Sequence, residues 1–258
     1  MATKNQAQTA LCYHDATSIY VRDKDLCNDL IGKVNFTEMM FFDIMGRMPN
    51  DTEDAVINAV MVTLMEHGLT TSAIAARMVY SSAPEALQGG VAAGLLAAGS
   101  KILGTLENCA YLLEEIVADP AGIEAAALAK AKMYRETKQP LPGFGHQDHK
   151  PDDPRPFRHF ELAEQYNLPG QHIEALKALS RSVDEVYGKH ITINASASMA
   201  ALLSEINLPK EVMRGIAVVT RAAGLVAHLY EEMKDPAMMP MMHACELAIP
   251  YSGEVTKA

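Results

Sequence analysis

The chain has 258 residues, of which 49% are hydrophobic and 21% charged, and its formal net charge is −10 at pH 7. That length can bury one large hydrophobic core, or a large and a small one, and the composition is ordinary for a water-soluble globular protein. The negative net charge argues against nucleic acid or an anionic membrane as the main partner, because both are polyanions.

The start of the chain and its cysteines indicate a cytoplasmic protein. The first ten residues, MATKNQAQTA, lack the basic segment and apolar run of a secretory signal. No stretch approaches the ~18 apolar residues that a membrane span needs. The cysteines are scattered without a CxxC spacing, which is typical of reduced thiols: Cys12, Cys27, Cys109 and Cys245.

Helical periodicity dominates the sequence. Helices are predicted over residues 53–67, 84–98, 120–137, 171–188 and 209–233. The second of these is rich in Ala and Gly, which let helix axes approach closely, so it is expected to be a buried, tightly packed helix. The last carries an apolar stripe that is expected to face the core: Val212, Ile216, Val219, Ala223 and Val226.

Strand patterns are scarce, so the predicted fold class is all-α. The segments YVRD and VNF, near the N-terminus, are too short to predict a sheet. The longest segment rich in glycine and proline covers residues 138–156 and lies between two predicted helical regions.

Within that segment, residues 143–156 read GFGHQDHKPDDPRP and admit three interpretations. Imidazoles and carboxylates suit a metal ion, although Lys150 and Arg155 would repel a cation. Asp, Pro and Gly are also ordinary residues of a solvated turn. The candidate metal ligands are His146, Asp148, His149, Asp152 and Asp153.

The third interpretation is a substrate-binding loop, and it uses the whole pattern. Glycines beside His146 allow a ligand to approach the backbone, and a histidine can polarise a carbonyl or move a proton near neutral pH. Arg155 can form a forked pair with a carboxylate, and Lys150 can contact a phosphate.

The loop resembles the GxGHxxxKxxDPR loop of the citrate synthase family. Three further segments resemble, in the same order, the short citryl-CoA lyase-like members of that family: residues 31–49, 66–99 and 218–232. Related sequence forms the C-terminal module of ATP-citrate lyase. The resemblance covers the chain from about Val21 onwards, and several motifs in order are more specific than any one of them.

The resemblance implies an all-α, two-domain homodimer with its active site between the domains. The large domain would comprise residues 1–102 and 204–258, and the small domain residues 103–203. The implied substrate is a coenzyme A thioester, and no metal is expected.

Residue by residue, the resemblance assigns roles to six side chains. His146 matches the histidine that polarises the reacting carbonyl or manages the hydroxyl proton during cleavage. His67 matches a histidine that helps hold the oxo acid, with the polar face of an exposed helix as its structural alternative. Arg155 and Arg221 match substrate-carboxylate arginines, although Arg221 could be a surface charge. Lys150 matches a basic residue near the coenzyme A phosphates.

Ser196 takes the sixth place, and it departs from the family. It stands in NASASMAALL where the family carries a catalytic aspartate, and an unassisted serine is no general base at neutral pH. Ile102 replaces a family histidine that ATP-citrate lyase also lacks. Near the C-terminus, Asp235 and Met239 stand where the family supplies an arginine to the partner subunit.

The C-terminal region is also rich in methionine, a flexible apolar side chain. These residues either make the pocket less cationic or fill a dimer core: Met238, Met239, Met241 and Met242. A less cationic pocket would suit an acyl group less acidic than citrate.

Two functions follow from this pattern. The first is a citryl-CoA lyase-like enzyme acting on a related 3-hydroxyacyl-CoA or on its cleavage products. The second is a catalytically silent relative that binds coenzyme A or an organic acid. The retained histidines and arginines favour the enzyme, whereas Ser196 favours the silent protein.

Overall fold

The structure, a computed structural model, describes residues 7–99 and 105–253. Ile102 lies outside the described residues. The chain divides into two compact units, Met1–Ala59 and Val60–Ala258. The large and small domains implied by the resemblance stay a prediction. All four cysteines are free thiols, as their spacing indicated.

The first unit contains a small antiparallel sheet in the order β1-β2-β3. Its strands are β1 Cys12–His14, β2 Ile19–Val21 and β3 Lys24–Asp25. The expectation that this region is too short for a sheet was therefore wrong. Short strands suffice here because each pairs with its neighbour along the chain across a tight turn, and Val21 packs with Leu30 and Phe42 in a hydrophobic cluster.

A single π-helical turn, Leu26–Leu30, leads to helix α1, Phe36–Met45. Asn35 and Glu38 form a reciprocal capping box at the start of α1, which satisfies backbone N–H groups that have no partner within the helix. Helix α2, Asp51–Met65, continues from the first unit into the second. Val56, Val60 and Leu64 are buried along it.

The described part of the second unit is helical, which confirms the predicted all-α class. Its helices are α3 Thr71–Ser82, α4 Leu87–Leu96, α5 Thr105–Val117, α6 Ile123–Thr137, α7 Pro154–Gln165, α8 Gln171–Tyr187, α9 Ala195–Glu205, α10 Lys210–Lys234 and α11 Met238–Ala248. The loop between α6 and α7 is the segment that the glycines and prolines indicated.

Two groups of helices pack around α10 and α9. Helices α3 and α4 pack on α10, and α5, α7 and α8 pack on α9, with α6 against α8. Close approach of α4 depends on glycine: a Cβ at Gly94 would lie 2.6 Å from Leu225 Cδ1 and 2.7 Å from Ser72 O. This contact agrees with the tight packing expected for residues 84–98, but the expected burial was wrong, because only Gly90 and Gly94 of α4 are buried and Leu96 is 87% exposed.

The predicted apolar stripe of α10 is not the buried one. Ile216 is buried, but Val219 and Val226 are 39% and 46% exposed. The buried face carries Arg221 and His228, along with apolar side chains. The prediction failed because several buried positions of α10 carry polar residues, which bind one another or line a cavity. The valines of the predicted stripe therefore lie on the exposed side of the helix.

Helix α10 also corrects the expectation that no stretch is apolar and long enough to span a membrane. It has 25 residues and passes a test of length and composition, with 50% of its most apolar window buried. The buried part of this window packs against α3, α4 and α5.

Gly224 on α10 gives a direct test of this packing. A Cβ there would lie 1.9 Å from the carbonyl oxygen of Met65, and backbone cannot yield as a flexible side chain does. We expect Gly224→Ala to lower the free energy of unfolding by about 3 kcal/mol or more, measured by urea denaturation.

Gly215, on the same helix, is the matched control. Its Cβ would meet nothing within 4 Å, so Gly215→Ala should stabilise the protein by about 0.5–1 kcal/mol through helix propensity. Equal effects of the two substitutions would contradict the close contact of α10 with the end of α2.

Candidate active site

A cavity of about 280 Å³ in the second unit collects five of the six residues that the sequence predicted. Its lining includes His67, His146, Arg155, Ser196 and Arg221. Lys150 is exposed in the loop before α7 and is absent from the lining. None of the four C-terminal methionines lines the cavity within its own chain either.

Backbone pairing brings the histidine loop to the start of α9. Gly145 N–H donates to Thr192 O at 2.8 Å, and Asn194 N–H donates to Gly143 O at 2.9 Å. Gly143 has φ +83°, and a Cβ there would lie 2.6 Å from Ala197 Cβ. Only glycine fits this position, so the first glycine of the loop motif fixes the approach of the loop to α9.

Ser196 occupies the first turn of α9 and is held from two sides. Its N–H donates to the Asn194 side chain, the N-cap of the helix, at 3.1 Å. Thr105 Oγ1 donates to Ser196 Oγ at 3.0 Å. Because Ser196 Oγ is the acceptor of this hydrogen bond, its own O–H remains available to the cavity. Thr105 also lines the cavity, and the sequence pattern did not single it out.

Asp153 holds Arg155 in place. Its carboxylate accepts hydrogen bonds from Arg155 Nε at 2.9 Å and from Arg155 Nη2 at 2.7 Å. It also accepts from the N–H of Ala195, at the start of α9. Burial alone would raise the pKa of Asp153, but the hydrogen bonds from Arg155 and Ala195 outweigh it and lower the pKa. The remaining Arg155 N–H groups can bind a second carboxylate.

His146 is a neutral hydrogen-bond donor. Its Nδ1 accepts from the backbone N–H groups of Asp148 and His149, both at 3.1 Å. A neutral imidazole has one acceptor nitrogen, so the ring proton is assigned to Nε2. Arg155 Nη2, at 3.3 Å from Nε2, is then a contact between two donors. Burial lowers the pKa of His146, and the charges of His149 and Arg155 lower it further.

His67 and His149 stand beside this ring. Their Nε2 atoms are 3.2 Å apart, and the His146 and His149 ring centroids are 4.4 Å apart. The ligand nitrogens of all three rings lie within 4.8 Å of one another, a spacing that could suit a metal ion.

The metal interpretation of the loop fits the donor set poorly. Two of its carboxylates are bound elsewhere: Asp152 to His190 and Asp153 to Arg155. A metal on His146 Nε2 would require a proton on Nδ1, where two backbone N–H groups already point.

Arg221 is the most informative charge in the cavity. The residue is 4% exposed, and its Nε and Nη1 atoms have no hydrogen-bond partner among the described residues. Burial lowers its pKa, with Glu66 opposing that effect. A buried guanidinium with unsatisfied donors is costly, so an anionic ligand would stabilise this site. The alternative of a surface charge is wrong.

A buried network positions His67 beyond the end of α2. Arg77 Nη1 donates to Glu232 at 3.0 Å, and Arg77 Nη2 lies 2.8 Å from His228 Nδ1. His228 Nε2 lies 3.0 Å from Glu66 Oε1, which accepts the His67 N–H at 2.8 Å. The sequence-based alternative, in which His67 lies on an exposed helix face, was wrong because the helix ends at Met65.

His159 forms a second buried link beneath the cavity. Its Nδ1 lies 2.8 Å from Ser198 Oγ, and its Nε2 lies 2.9 Å from Thr63 Oγ1. Ser198 donates its own proton to Ala195 O, so His159 donates to Ser198 through Nδ1 and accepts from Thr63. The link ties α2, α7 and α9 together and requires a neutral ring.

Comparison with known proteins identifies the family to which this chain belongs. The profile of "Citrate synthase, C-terminal domain" matches residues 4–240. The structure of citryl-CoA lyase from Hydrogenobacter thermophilus is 30% identical and superposes with a TM-score of 0.85, covering 98% of this chain and 96% of that one. The chain belongs to the citrate synthase family.

Two further proteins are similar to this chain at lower sequence identity. ATP citrate lyase from Methanothrix soehngenii, in complex with citrate and coenzyme A, shares the fold at 16% identity and a TM-score of 0.77, covering 99% of this chain and 43% of that one. Citrate synthase from Synechocystis sp. is 24% identical over 209 residues, which are 78% of this chain and 50% of that protein. The chain spans about half the length, or less, of the curated relatives it matches.

The buried His159 predicts a pH dependence of stability. Burial lowers its folded-state pKa from 6.5 to about 4, whereas the unfolded chain binds the proton near 6.5. Stability from the neutral ring is therefore complete above about pH 6.5 and is lost as pH falls towards 4, by at most about 3 kcal/mol.

Urea denaturation at pH 7 and pH 4.5 measures this term. We expect His159→Gln to lose less stability than wild type between the two pH values, because the variant removes the titrating group. His14→Gln, which changes an exposed histidine, should keep the wild-type slope. Identical slopes for wild type and His159→Gln would show that His159 does not contribute.

Proposed function

We propose that this protein is a citryl-CoA lyase-like enzyme that cleaves a carbon–carbon bond in a 3-hydroxyacyl-CoA, yielding a short acyl-CoA and an oxo compound. The observation that carries the proposal is the buried Arg221 guanidinium in a cavity shared with His146 and Ser196, where its Nε and Nη1 atoms have no hydrogen-bond partner within residues 7–99 and 105–253. A carboxylate would stabilise this buried charge, and the neighbouring histidine and serine groups can exchange protons with a substrate hydroxyl and hydrogen-bond to a carbonyl.

The substrate carboxylate would bind Arg221 and the N–H groups of Arg155 that Asp153 leaves free. The Nε2–H of His146 would donate to a substrate oxygen that gains negative charge in the transition state. Since that nitrogen carries a proton, removal of the substrate hydroxyl proton falls to His67, the other histidine that lines the cavity.

Ser196 would complete the cleavage. As the carbon–carbon bond breaks, its electron pair moves onto the thioester α-carbon and forms an enolate, which needs a proton donor. The Ser196 hydroxyl can supply one because Thr105 occupies its oxygen as a donor. Condensation needs a base for the α-proton, which an unassisted serine is not. Cleavage is therefore the favoured direction.

Ser196 is also the observation that favours the second candidate, a catalytically silent protein that binds coenzyme A or an organic acid. Both functions need the buried Arg221. They differ in whether His146 and Ser196 act on the ligand, so the two are separated by product formation rather than by binding.

Mass spectrometry of a panel of 3-hydroxyacyl-CoA thioesters, citryl-CoA included, incubated with the purified protein tests the proposal. We expect release of a short acyl-CoA. Ser196→Ala should lower the rate about tenfold, or about 1.4 kcal/mol of barrier, and His146→Ala by about a hundredfold or more. Binding without product would support the silent protein, and a His146→Ala rate equal to wild type would contradict the proposed chemistry.

Lys150 provides a binding variant for the same panel. We propose that this exposed lysine contacts the coenzyme A phosphates, so Lys150→Glu should raise KM and leave kcat close to wild type. The exposed Lys132 on α6 offers the same charge change elsewhere, and Lys132→Glu should leave both constants unchanged.

We further propose that the protein is a homodimer or a multiple of dimers. Helix α11 has no buried residue; Leu247, within the helix, is 72% exposed and Ile249, directly after it, is 77% exposed. Exposed apolar side chains concentrated in one segment mark an interface, and a second copy of the chain is the occupant that the family resemblance implies.

Light scattering at micromolar concentration should give at least twice the chain mass of 28.0 kDa. Leu247→Glu should shift the protein towards monomer, because it places a charge in the apolar surface. Ile31→Glu, at a position that is 63% exposed in the first unit, is the control and should leave the mass unchanged. A wild-type monomer would contradict the dimer.

A further inference from the structure

His149 contacts two cavity histidines without lining the cavity itself. It is half-buried, its Nε2 lies 3.2 Å from His67 Nε2, and its ring lies beside that of His146. The sequence pattern indicated His149 only as a candidate metal ligand. Its position behind His67 raises the question of what a third histidine contributes.

The distance between the two Nε2 atoms limits the proton count. Two imidazole nitrogens at 3.2 Å form a hydrogen bond when one carries a proton and the other offers a lone pair. Two N–H groups would repel each other, and two lone pairs would repel as well. The pair therefore has two ordered forms, which differ in whether His67 is the donor or the acceptor.

The cavity chemistry distinguishes the two forms. If His67 accepted through Nε2, its neutral ring would carry its proton on Nδ1 and would have no lone pair left for a substrate. If His67 donates through Nε2, its Nδ1 lone pair is free. His146 cannot replace it, because backbone N–H groups occupy the single acceptor nitrogen of that ring.

We propose that His149 is a positioning residue that accepts the Nε2–H of His67 and thereby makes His67 Nδ1 the base for the substrate hydroxyl. The inference rests on the proposed cleavage activity and assigns a residue to it. His149 would then carry its own proton on Nδ1. An analogous acceptor behind a catalytic histidine fixes its tautomer and stabilises its protonated form.

The proton balance of the step is simple. The substrate O–H bond breaks and an N–H bond forms at His67 Nδ1, which makes that ring cationic. The oxygen electron pair forms the C=O bond, and the pair of the broken carbon–carbon bond becomes the enolate that Ser196 protonates. His67 then returns its proton to solvent as Ser196 regains one, so no net proton is consumed.

Nitrogen NMR of the ¹⁵N-histidine-labelled full chain tests the hydrogen bond without any substrate. Long-range ¹H–¹⁵N spectra distinguish a protonated ring nitrogen from one with a lone pair, and His67→Gln and His149→Gln assign the signals. We expect His67 to be protonated on Nε2 and His149 on Nδ1. In His149→Phe, which keeps a ring but removes both nitrogens, His67 should become a mixture of tautomers.

Steady-state kinetics with the thioester that is cleaved fastest in the panel test the catalytic consequence. His149→Phe should lower kcat by about 10- to 100-fold, the range expected when acid–base catalysis is impaired, with KM within about twofold. His149→Gln, whose side-chain oxygen can still accept the His67 N–H, should recover most of the loss. His14→Phe, on an exposed strand, is the control and should match wild type.

The outcomes separate this inference from the proposed function. A His67 ring protonated on Nδ1, or a His149→Phe enzyme with wild-type kcat, would overturn the inference while leaving cleavage intact. A His149→Gln enzyme as slow as His149→Phe would reduce His149 to a packing role and would also overturn it. If no thioester is cleaved, the proposed function and the catalytic part of the inference fail together, and the NMR result still decides the hydrogen bond.

Discussion

The candidate site depends on one buried carboxylate, that of Asp153. It begins α7 as its N-cap, accepts two N–H groups of the Arg155 side chain, and accepts the N–H of Ala195 at the start of α9. A buried carboxylate stays charged only when such donors surround it. The histidine loop, the arginine and the serine helix are therefore joined through one negative charge, and its loss would release all three.

Charge balance then determines what the cavity can bind. Asp153 compensates Arg155, whereas Arg221 remains uncompensated by a hydrogen-bonded partner among the described residues. Burial and neighbouring positive charge lower the pKa of His146, which leaves that ring a neutral donor. The lining thus contains one buried cation, Arg221, that an anion would stabilise, together with neutral groups that donate or accept protons. This combination suits a carboxylate-bearing substrate with reacting oxygens close by.

The sequence predicted which residues share the cavity better than it predicted the packing. Motifs identified His67, His146, Arg155, Ser196 and Arg221 because their spacing matches a family pattern, and the fold brings them to one cavity. The outward valines of α10 were misassigned because periodicity cannot distinguish a core stripe from an exposed apolar one. The roles of His149, Thr105 and Asp153 depend on contacts between residues distant in the chain or on backbone geometry, and no local pattern contains them.

In the proposed site, Ser196 stands where the family resemblance implies an aspartate, and this difference would change the balance of the site rather than simply remove a function. A carboxylate near Arg155 and Arg221 would partly satisfy them, whereas a serine leaves their charge for the substrate. Its oxygen accepts from Thr105, so its proton is directed towards another acceptor. In the proposed cleavage, the site would have a proton donor where the family resemblance implies a base, and the base would have to come from the histidines. In the proposed cleavage, a pair such as His67 and His149, whose Nε2 atoms lie 3.2 Å apart, would meet that need without adding a buried charge.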